Sequence, residues 1–406
     1  MPDHDTSRLM GEIQRLRRNC SERGRRRFPL GVRWSTTGTE IDYLYRNHQL
    51  LCDSDDLDVV LRAFDQIGQQ RPAVTDGPIG LSVLDLGDRD AADLADALAD
   101  ALGDDDIVTP NHVLDPQGWS ALCPATEPVP WRGQVVDMGE PVGSRQARVA
   151  VLDSGYLASI AQDSGYARFS AVDPNSEPDD EVYTGTNIRP YGGHGTASTA
   201  RLLSVAGANS ISVHVRDSLV GGAIDEATIV GDLDQAVTDG AEVISIQAGL
   251  YGRAGRSSKA FDTFHRRVLR QHPETVLVVA AGNDGSDRPF WPAAYDWCTA
   301  VGALTHGGDA RAGWTNYGYW VDVYASGENI VVPYPNGTYE YLDGFSVNFT
   351  QGHAIWSGTS FAAPAVAGMI ARRMIERDVD APTARDIVLA EAAVAALPST
   401  GPRVLV

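Results

Sequence analysis

Three residues far apart in the chain have the types and settings that acyl-transfer chemistry requires: Asp153, His194 and Ser360. Asp153 follows "ARVAVL", an unbroken apolar run that reads as a buried parallel strand. A carboxylate at the C-terminal end of such a strand is where open α/β sheets build active sites. His194 stands in "YGGHGTASTARLL", with glycines on both sides and an Ala-rich helix following. Glycines let the backbone crowd a reacting group, and a helix start orients the imidazole. Ser360 lies in "WSGTSFAAPAVAGMIARRM" and opens a small-residue helix. There the positive end of the helix dipole suits a nucleophile whose product is an oxyanion, and Pro364 is expected in the first turn. An unactivated hydroxyl is a poor nucleophile. It needs a neutral imidazole to take its proton, and that imidazole needs a carboxylate to fix its tautomer.

The tetrapeptide Asp-Ser-Gly-Tyr occurs twice, at 153–156 and 163–166. The second copy follows "LASIAQ", which has no strand run, so Asp163 reads as a turn or helix cap and Asp153 as the chemical candidate. The remaining histidines lack such a setting. His214 lies inside the strand-like "ISVHVR", and His306 and His353 lie in glycine-containing loops.

These residues must be positioned by an ordered set of elements. From 148 on, apolar strands ("RVAVLD", "ISVHVR", "AEVISIQAG", "TVLVVAAGN", "CTAVGAL") alternate with helical segments. This predicts an α/β fold with a doubly wound, mostly parallel sheet over 148–395, followed by a tail at 396–406. Upstream, "IGLSVLDL", "RDAADLADALADALG" and "DIVTPNHVL" read as strand, helix and strand, the helix stopped by Gly103. They make a small α+β unit at 77–116, joined by a Pro/Gly-rich linker at 117–147. Residues 1–70 read as a separate region, helical and basic in part. Its "RLRRNCSERGRRRF" is a solvated helix face running into a loop, or else a contact for nucleic acid or an acidic partner.

With 406 residues, 43% of them hydrophobic, the chain can bury a sizeable core. Its formal charge of −21 disfavours nucleic acid as a partner and favours a basic or neutral substrate. The N-terminus shows no apolar signal segment, and no run approaches a membrane span, so the expectation is a cytoplasmic protein without membrane contact. The four cysteines are scattered and read as ordinary thiols. "NGT" and "NFT" match the glycosylation pattern, which matters only after secretion.

The order Asp, His, Ser, with "VAVLDSG", "GGHGTASTA" and "SGTSFAAPAVAGMIA", resembles the subtilisin-like serine proteases, the subtilase family. "VVAAGNDG" looks like the family segment whose asparagine completes the oxyanion hole, here Asn283, and "WTNYGYWVDVYASGENI" resembles the strand before the serine. The resemblance covers about residues 148–375. It implies a bacterial serine endopeptidase that hydrolyses peptide or protein substrates. These bind as an added strand along Gln247, Ala248 and Gly249, where the family often has Ser-Leu-Gly, with Leu219, Val220 and Gly221 on the opposite rim. Gln247 departs from that pattern, and its long side chain is expected to narrow the cleft. Residues 333–356 are longer and more aromatic than the family norm and read as a lid, a substrate wall or a plain surface hairpin. The family requires no cofactor. Calcium sites are common in it, but no metal ligands can be placed here.

"ALADALGDDDIVTPNHV" resembles the inhibitor-like propeptides of the family, so the N-terminal region is expected to restrain the protease, with a regulatory protein partner docking on residues 1–65. Peptide maturation or a stress or defence role inside the cell follows from that reading. The competing reading is a catalytically silent peptide-binding module, against which all triad positions are present.

Overall fold

The computed structural model describes residues 3–22, 28–38, 40–115, 127–133, 146–163, 167–207 and 211–406. Helix α1 (Asp3–Glu22) comes first. Then follow β1 (Leu30–Trp34), β2 (Ile41–Asp53), α2 (Leu57–Gln66), β3 (Ala73–Asp76), β4 (Leu81–Asp85), α3 (Ala91–Leu102) and β5 (Val108–Leu114). Helix α3 shows why the local pattern works. Ala91, Ala92, Leu94, Ala95, Leu98 and Ala99 form a buried stripe, Asp90 caps the first turn through Ala92 N and Asp93 N, and Gly103 ends it in the left-handed conformation at φ 64°.

The strands pair antiparallel in the order β5-β2-β4-β3, with β1 on β2. A register shift between Tyr45 and Leu50 changes which side chains of β2 face each side. Tyr43, Tyr45, Leu50 and Cys52 pack under α2 and α3, whereas Leu51, with Leu81 and Leu114, faces the second half of the molecule.

The second half begins with β6 (Val129–Pro130), β7 (Ala147–Asp153), α4 (Ala158–Asp163), β8 (Tyr183–Thr184), β9 (Asn187–Ile188), α5 (His194–Ala206), β10 (Ile211–Asp217), β11 (Ile224–Asp225) and α6 (Glu226–Thr238). It continues through β12 (Val243–Ile246), α7 (Lys259–Arg267), β13 (Val276–Ala280), β14 (Cys298–Leu304), β15 (Val323–Ser326), β16 (Ile330–Pro333), β17 (Gly337–Glu340), β18 (Ser346–Phe349) and β19 (His353–Trp356). The chain closes with α8 (Thr359–Arg377), α9 (Ala381–Val394) and β20 (Arg403–Val404).

Seven parallel strands form the central sheet in the order β10-β7-β12-β13-β14-β15-β20. Its inner strands are apolar along their length because helices cover both faces. Side chains of α5, α8 and α9 pack on one face, and those of α6 and α7 on the other. The strand order reverses at β7, between β10 and β12, which leaves a crevice at the C-terminal end of β7. The expected doubly wound, mostly parallel sheet is therefore present.

Three boundaries need correction. The division between 1–70 and 77–116 does not exist, because β2 is the strand to which β1, β4 and β5 all pair. The linker is not free of structure, since Val129–Pro130 pairs with Ile355 and Ala354 of β19; its residues 116–126 and 134–145 lie outside the described residues. The tail is not separate, because β20 extends the central sheet beside β15.

The aromatic stretch 333–356 forms a β17–β18 hairpin next to β9, and β16 pairs with β19. Tyr334, Tyr339 and Phe349 make a small buried core there with Trp356. Among the described residues, Cys20, Cys52 and Cys298 are free, buried thiols, and no helix is long and apolar enough to cross a membrane.

Candidate active site

The ends of β7, α5 and α8 deliver the three candidate residues to the crevice. Asp153, the last residue of β7, is fully buried. Its Oδ1 accepts from His194 Nδ1 and from Ser154 N, each at 2.7 Å, and its Oδ2 accepts from Ser198 Oγ at 2.7 Å. Three donors thus converge on this carboxylate, two on one oxygen and one on the other, and hold it in place. Asp163 ends α4, on the following element, and it is Asp153 that bonds His194.

His194 is the first residue of α5, after Gly193 in the left-handed conformation at φ 80°. With Nδ1 donating to Asp153, Nε2 is left as the acceptor. The ring is held by Trp356, edge-on at 5.1 Å, and by Phe361 at 5.6 Å. Glycine is needed next to it, because a Cβ at Gly195 would run into the Gly155 carbonyl oxygen where the two loops meet. Beneath the loop, Gly193 N donates to Asp179 Oδ2 at 2.8 Å. Burial pushes the Asp179 carboxyl up to about 7, with the neighbouring charges of Asp217 and Asp153 acting in the same sense and the Gly193 amide against it.

Ser360 is the second residue of α8, a helix of 19 residues. Its Oγ donates to the Gln247 carbonyl at 3.4 Å, not to the imidazole that would take its proton in reaction. Catalytic hydrogen bonds commonly tighten only once substrate is bound. Pro364 falls in the second turn of α8 rather than the first, and it lacks the N–H that would otherwise pair with the Ser360 carbonyl. Asn283 Oδ1 accepts from Thr359 N and Thr359 Oγ1, both at 2.9 Å. This fixes the amide so that Nδ2 lies on the side of the Gly358–Ser360 turn.

The cleft departs from the sequence expectation in part. Asp115 pairs antiparallel with Gly249, and Leu114 and Val113 pair with Ile224 and Asp225 of β11. Gly249 is therefore a strand-pairing position, occupied here by Asp115. Gln247 does not narrow the cleft, because its side chain is fully buried and its amide meets Ser245 Oγ at 2.7 Å. Ala248 is buried in the core. The opposite rim, expected at Leu219 to Gly221, lies just before β11, the strand with which β5 pairs. Leu219 buries its side chain in the core and donates its N–H to the Asp153 carbonyl at 2.9 Å. Val220 and Gly221 lie in a short 3₁₀ turn, and the positions that pair with β5 are Ile224 and Asp225. His214, on β10, stands 3.9 Å from Asp173, and His353 Nδ1 bonds the Gln351 carbonyl; it is His194 that meets Asp153.

Sequence reasoning missed three site residues. Ser198 had a legible signal, being four residues after His194 on the same helix face. Thr359 sits inside the quoted serine motif. Asp179 had none, since only its burial under Gly193 marks it. Among the described residues, no three His, Cys, Asp or Glu side chains gather where they would hold a metal ion.

The model of the subtilase family matches residues 144–396. The thermophilic serine proteinase of Bacillus sp. (strain AK1) is 30% identical over 235 residues, which are 56% of this chain and 52% of that protein. Thermitase of Thermoactinomyces vulgaris is 30% identical over 243 residues, 58% of this chain and 76% of that one. The chain thus spans about half the length of the Bacillus relative and three quarters of thermitase. Among solved structures, fervidolysin from Fervidobacterium pennivorans, a keratinolytic enzyme related to subtilisin, superposes with TM-score 0.58 at 19% identity over 89% of this chain and 60% of that chain. The epidermin leader peptide processing serine protease from Staphylococcus aureus gives TM-score 0.55 at 14% identity over 84% and 92%. At these identities the two structures speak for the fold.

Proposed function

The chain belongs to the subtilase family, the subtilisin-like serine proteases, and from that premise we propose that it is a serine endopeptidase restrained by its own N-terminal domain. The observation that carries the catalytic reading is the meeting of three element ends, with His194 Nδ1 on Asp153 at 2.7 Å and Ser360 at the start of α8 beside Asn283. In this mechanism Ser360 Oγ attacks the scissile carbonyl as His194 Nε2 takes its proton. Asp153 holds the imidazole in the required tautomer and stabilises the imidazolium that forms. Negative charge develops on the carbonyl oxygen, where Asn283 Nδ2 and the Ser360 backbone N–H serve as donors at the positive end of α8. The imidazolium then protonates the leaving amine, and water repeats the sequence on the acyl-enzyme.

Restraint is supported by what already lies in the cleft. The end of β5 takes the place of a substrate strand, with Leu114 against Ile224 on one side and Asp115 against Gly249 on the other. A buried polar contact seats it: His112 N and Nδ1 both bond Glu226 Oε1, at 3.0 and 2.8 Å, and Glu226 Oε2 takes Ser258 Oγ. Around this lies a rim of ion pairs, with Arg266 on Asp53, Arg253 on Asp96 and Arg288 on Asp42, each at 2.7 Å. Such rim pairs orient docking more than they tighten it.

The test is hydrolysis of an unstructured protein substrate by the chain after cutting within 116–126. The reading requires that Ser360→Ala and His194→Ala each abolish turnover while circular dichroism shows the fold unchanged. Turnover that persists in both variants would place the chemistry elsewhere.

A further inference from the structure

Strands β12 and β13 are neighbours in the central sheet, and the segments that leave their ends form the two walls beside Ser360. One wall is Gln247-Ala248-Gly249, along which Asp115 pairs; the other is Ala281-Gly282-Asn283, which ends in the oxyanion donor. A substrate residue whose carbonyl reaches both Ser360 Oγ and Asn283 Nδ2 must send its side chain into the gap between these walls. That gap is filled by Phe290. A Cβ built on Gly249 would lie 2.6 Å from Phe290 Cδ1, and one on Gly282 would lie 3.0 Å from the same atom. The ring therefore rests on bare backbone of both walls; it alone excludes a side chain at Gly249, while at Gly282 Asn316 Nδ2 and a φ of 96° exclude one as well.

Phe290 is firmly held. It is 4% exposed, and Tyr251 packs on it with ring centroids 5.1 Å apart. Tyr251 in turn donates to Asp284 Oδ2 at 2.7 Å, accepts from Asn316 Nδ2 at 3.1 Å and carries the Arg288 guanidinium over its face at 4.5 Å. On the other side Trp291 is fastened by two backbone bonds to Leu250, at 2.8 and 2.9 Å. Swinging the ring aside would break a packed, hydrogen-bonded cluster.

We infer that Phe290 is a specificity-determining residue that closes the pocket for the residue at the cleaved bond, so that this protease cuts after glycine, alanine or serine and excludes aromatic and long aliphatic side chains. The inference rests on the serine endopeptidase reading. Hydrophobic pockets discriminate by about 10–200-fold per methylene-sized mismatch, so a whole aromatic ring falls at or beyond the upper end of that range.

The experiment uses the full chain carrying a specific protease site within 116–126, cut before assay, with a peptide series that differs only in the residue preceding the cleaved bond. Wild type is expected to favour Ala over Phe by at least about 100-fold in kcat/KM. Phe290→Ala should bring that ratio below about 10, chiefly by raising the rate on the Phe peptide. Phe290→Leu, which keeps the core better filled, should give an intermediate ratio for Leu peptides. Equal wild-type rates on Ala and Phe peptides, both lost in Ser360→Ala, would overturn the inference and leave the protease reading intact. Silence toward every peptide, with Ser360 also unreactive to a fluorophosphonate, would overturn the protease reading and this inference with it.

Discussion

Asp115 and Gly249 exchange two backbone hydrogen bonds, amide to carbonyl in each direction, at 3.0 and 3.2 Å. This bonds the end of the N-terminal sheet to the segment that begins at Gln247, whose carbonyl holds Ser360 Oγ. The chain is fastened again at Glu127, where Oε1 accepts from Arg15 Nη1 at 3.1 Å and from Leu342 N at 2.9 Å. One flank of residues 116–126 is thus tied beside the active site and the other to α1 and the β17–β18 hairpin.

A tethered strand competes with substrate at an effective concentration on the order of millimolar. Cutting within 116–126 should therefore raise turnover of a small peptide, and adding back a separate 1–115 fragment should suppress it. Within the intact chain, His112→Ala removes the ring bond to the buried Glu226 carboxylate. Loss of a hydrogen bond to a charged group costs about 1.5–3 kcal/mol, so basal turnover should rise about 10–100-fold. An intact chain that already works at the rate of the cut one would show that the N-terminal domain does not restrain the site.

The two Asp-Ser-Gly copies should separate cleanly. Asp153→Asn leaves His194 in the wrong tautomer and should lower kcat by about 10⁴-fold. Asp163→Asn, on the following helix, should change it less than about threefold. Equal losses at the two positions would contradict the assignment.

Asn283→Ala should lower kcat by about 10²–10³-fold with KM nearly constant, because the oxyanion exists only on the reaction path. A raised KM with unchanged kcat would make Asn283 a substrate-binding group instead.

Asp179 sets a pH dependence of stability. Its folded value of about 7 lies above the unfolded value of about 3.9, so the native state holds the proton more tightly. The native chain is penalised as pH rises from about 4 to about 7, and the penalty is constant above that, on the order of 2–4 kcal/mol. Asp179→Asn keeps an oxygen for the Gly193 amide and removes the charge. Its advantage in melting temperature over wild type should widen from pH 5 to pH 7.5 and then level off. An advantage that does not vary with pH would contradict a buried, titrating carboxyl.

The central sheet was legible because β7, β12, β13 and β14 are apolar along their length, as burial on both faces demands. The three candidate residues were legible because each stands at an element end close to glycine, where loops must approach closely. The N-terminal division was misread at β2. That strand carries Asp42, Arg46, Asn47, His48 and Gln49, and its partners β4 and β5 lie some 30 to 60 residues downstream, so no local pattern reveals the pairing. The pairing of β5 with Ile224 and Asp225 was not legible, because Leu219 and Ile224 look equally apolar and only the path of β5 decides which of them it meets. Gln247 was read as an obstacle because its side chain is long. Its direction into the core depends on Ser245, two residues earlier on the same face of β12 and its continuation.

Active-site labelling measures the central claim most directly. The chain, cut within 116–126, is treated with a fluorophosphonate and weighed, and the labelled peptide is sequenced. Activation of Ser360 by His194 and Asp153 predicts one adduct per chain, on Ser360, formed rapidly in wild type, slowed by orders of magnitude in His194→Ala and absent in Ser360→Ala. Labelling of Ser360 at the same rate without His194, or an adduct on another residue, would contradict the account.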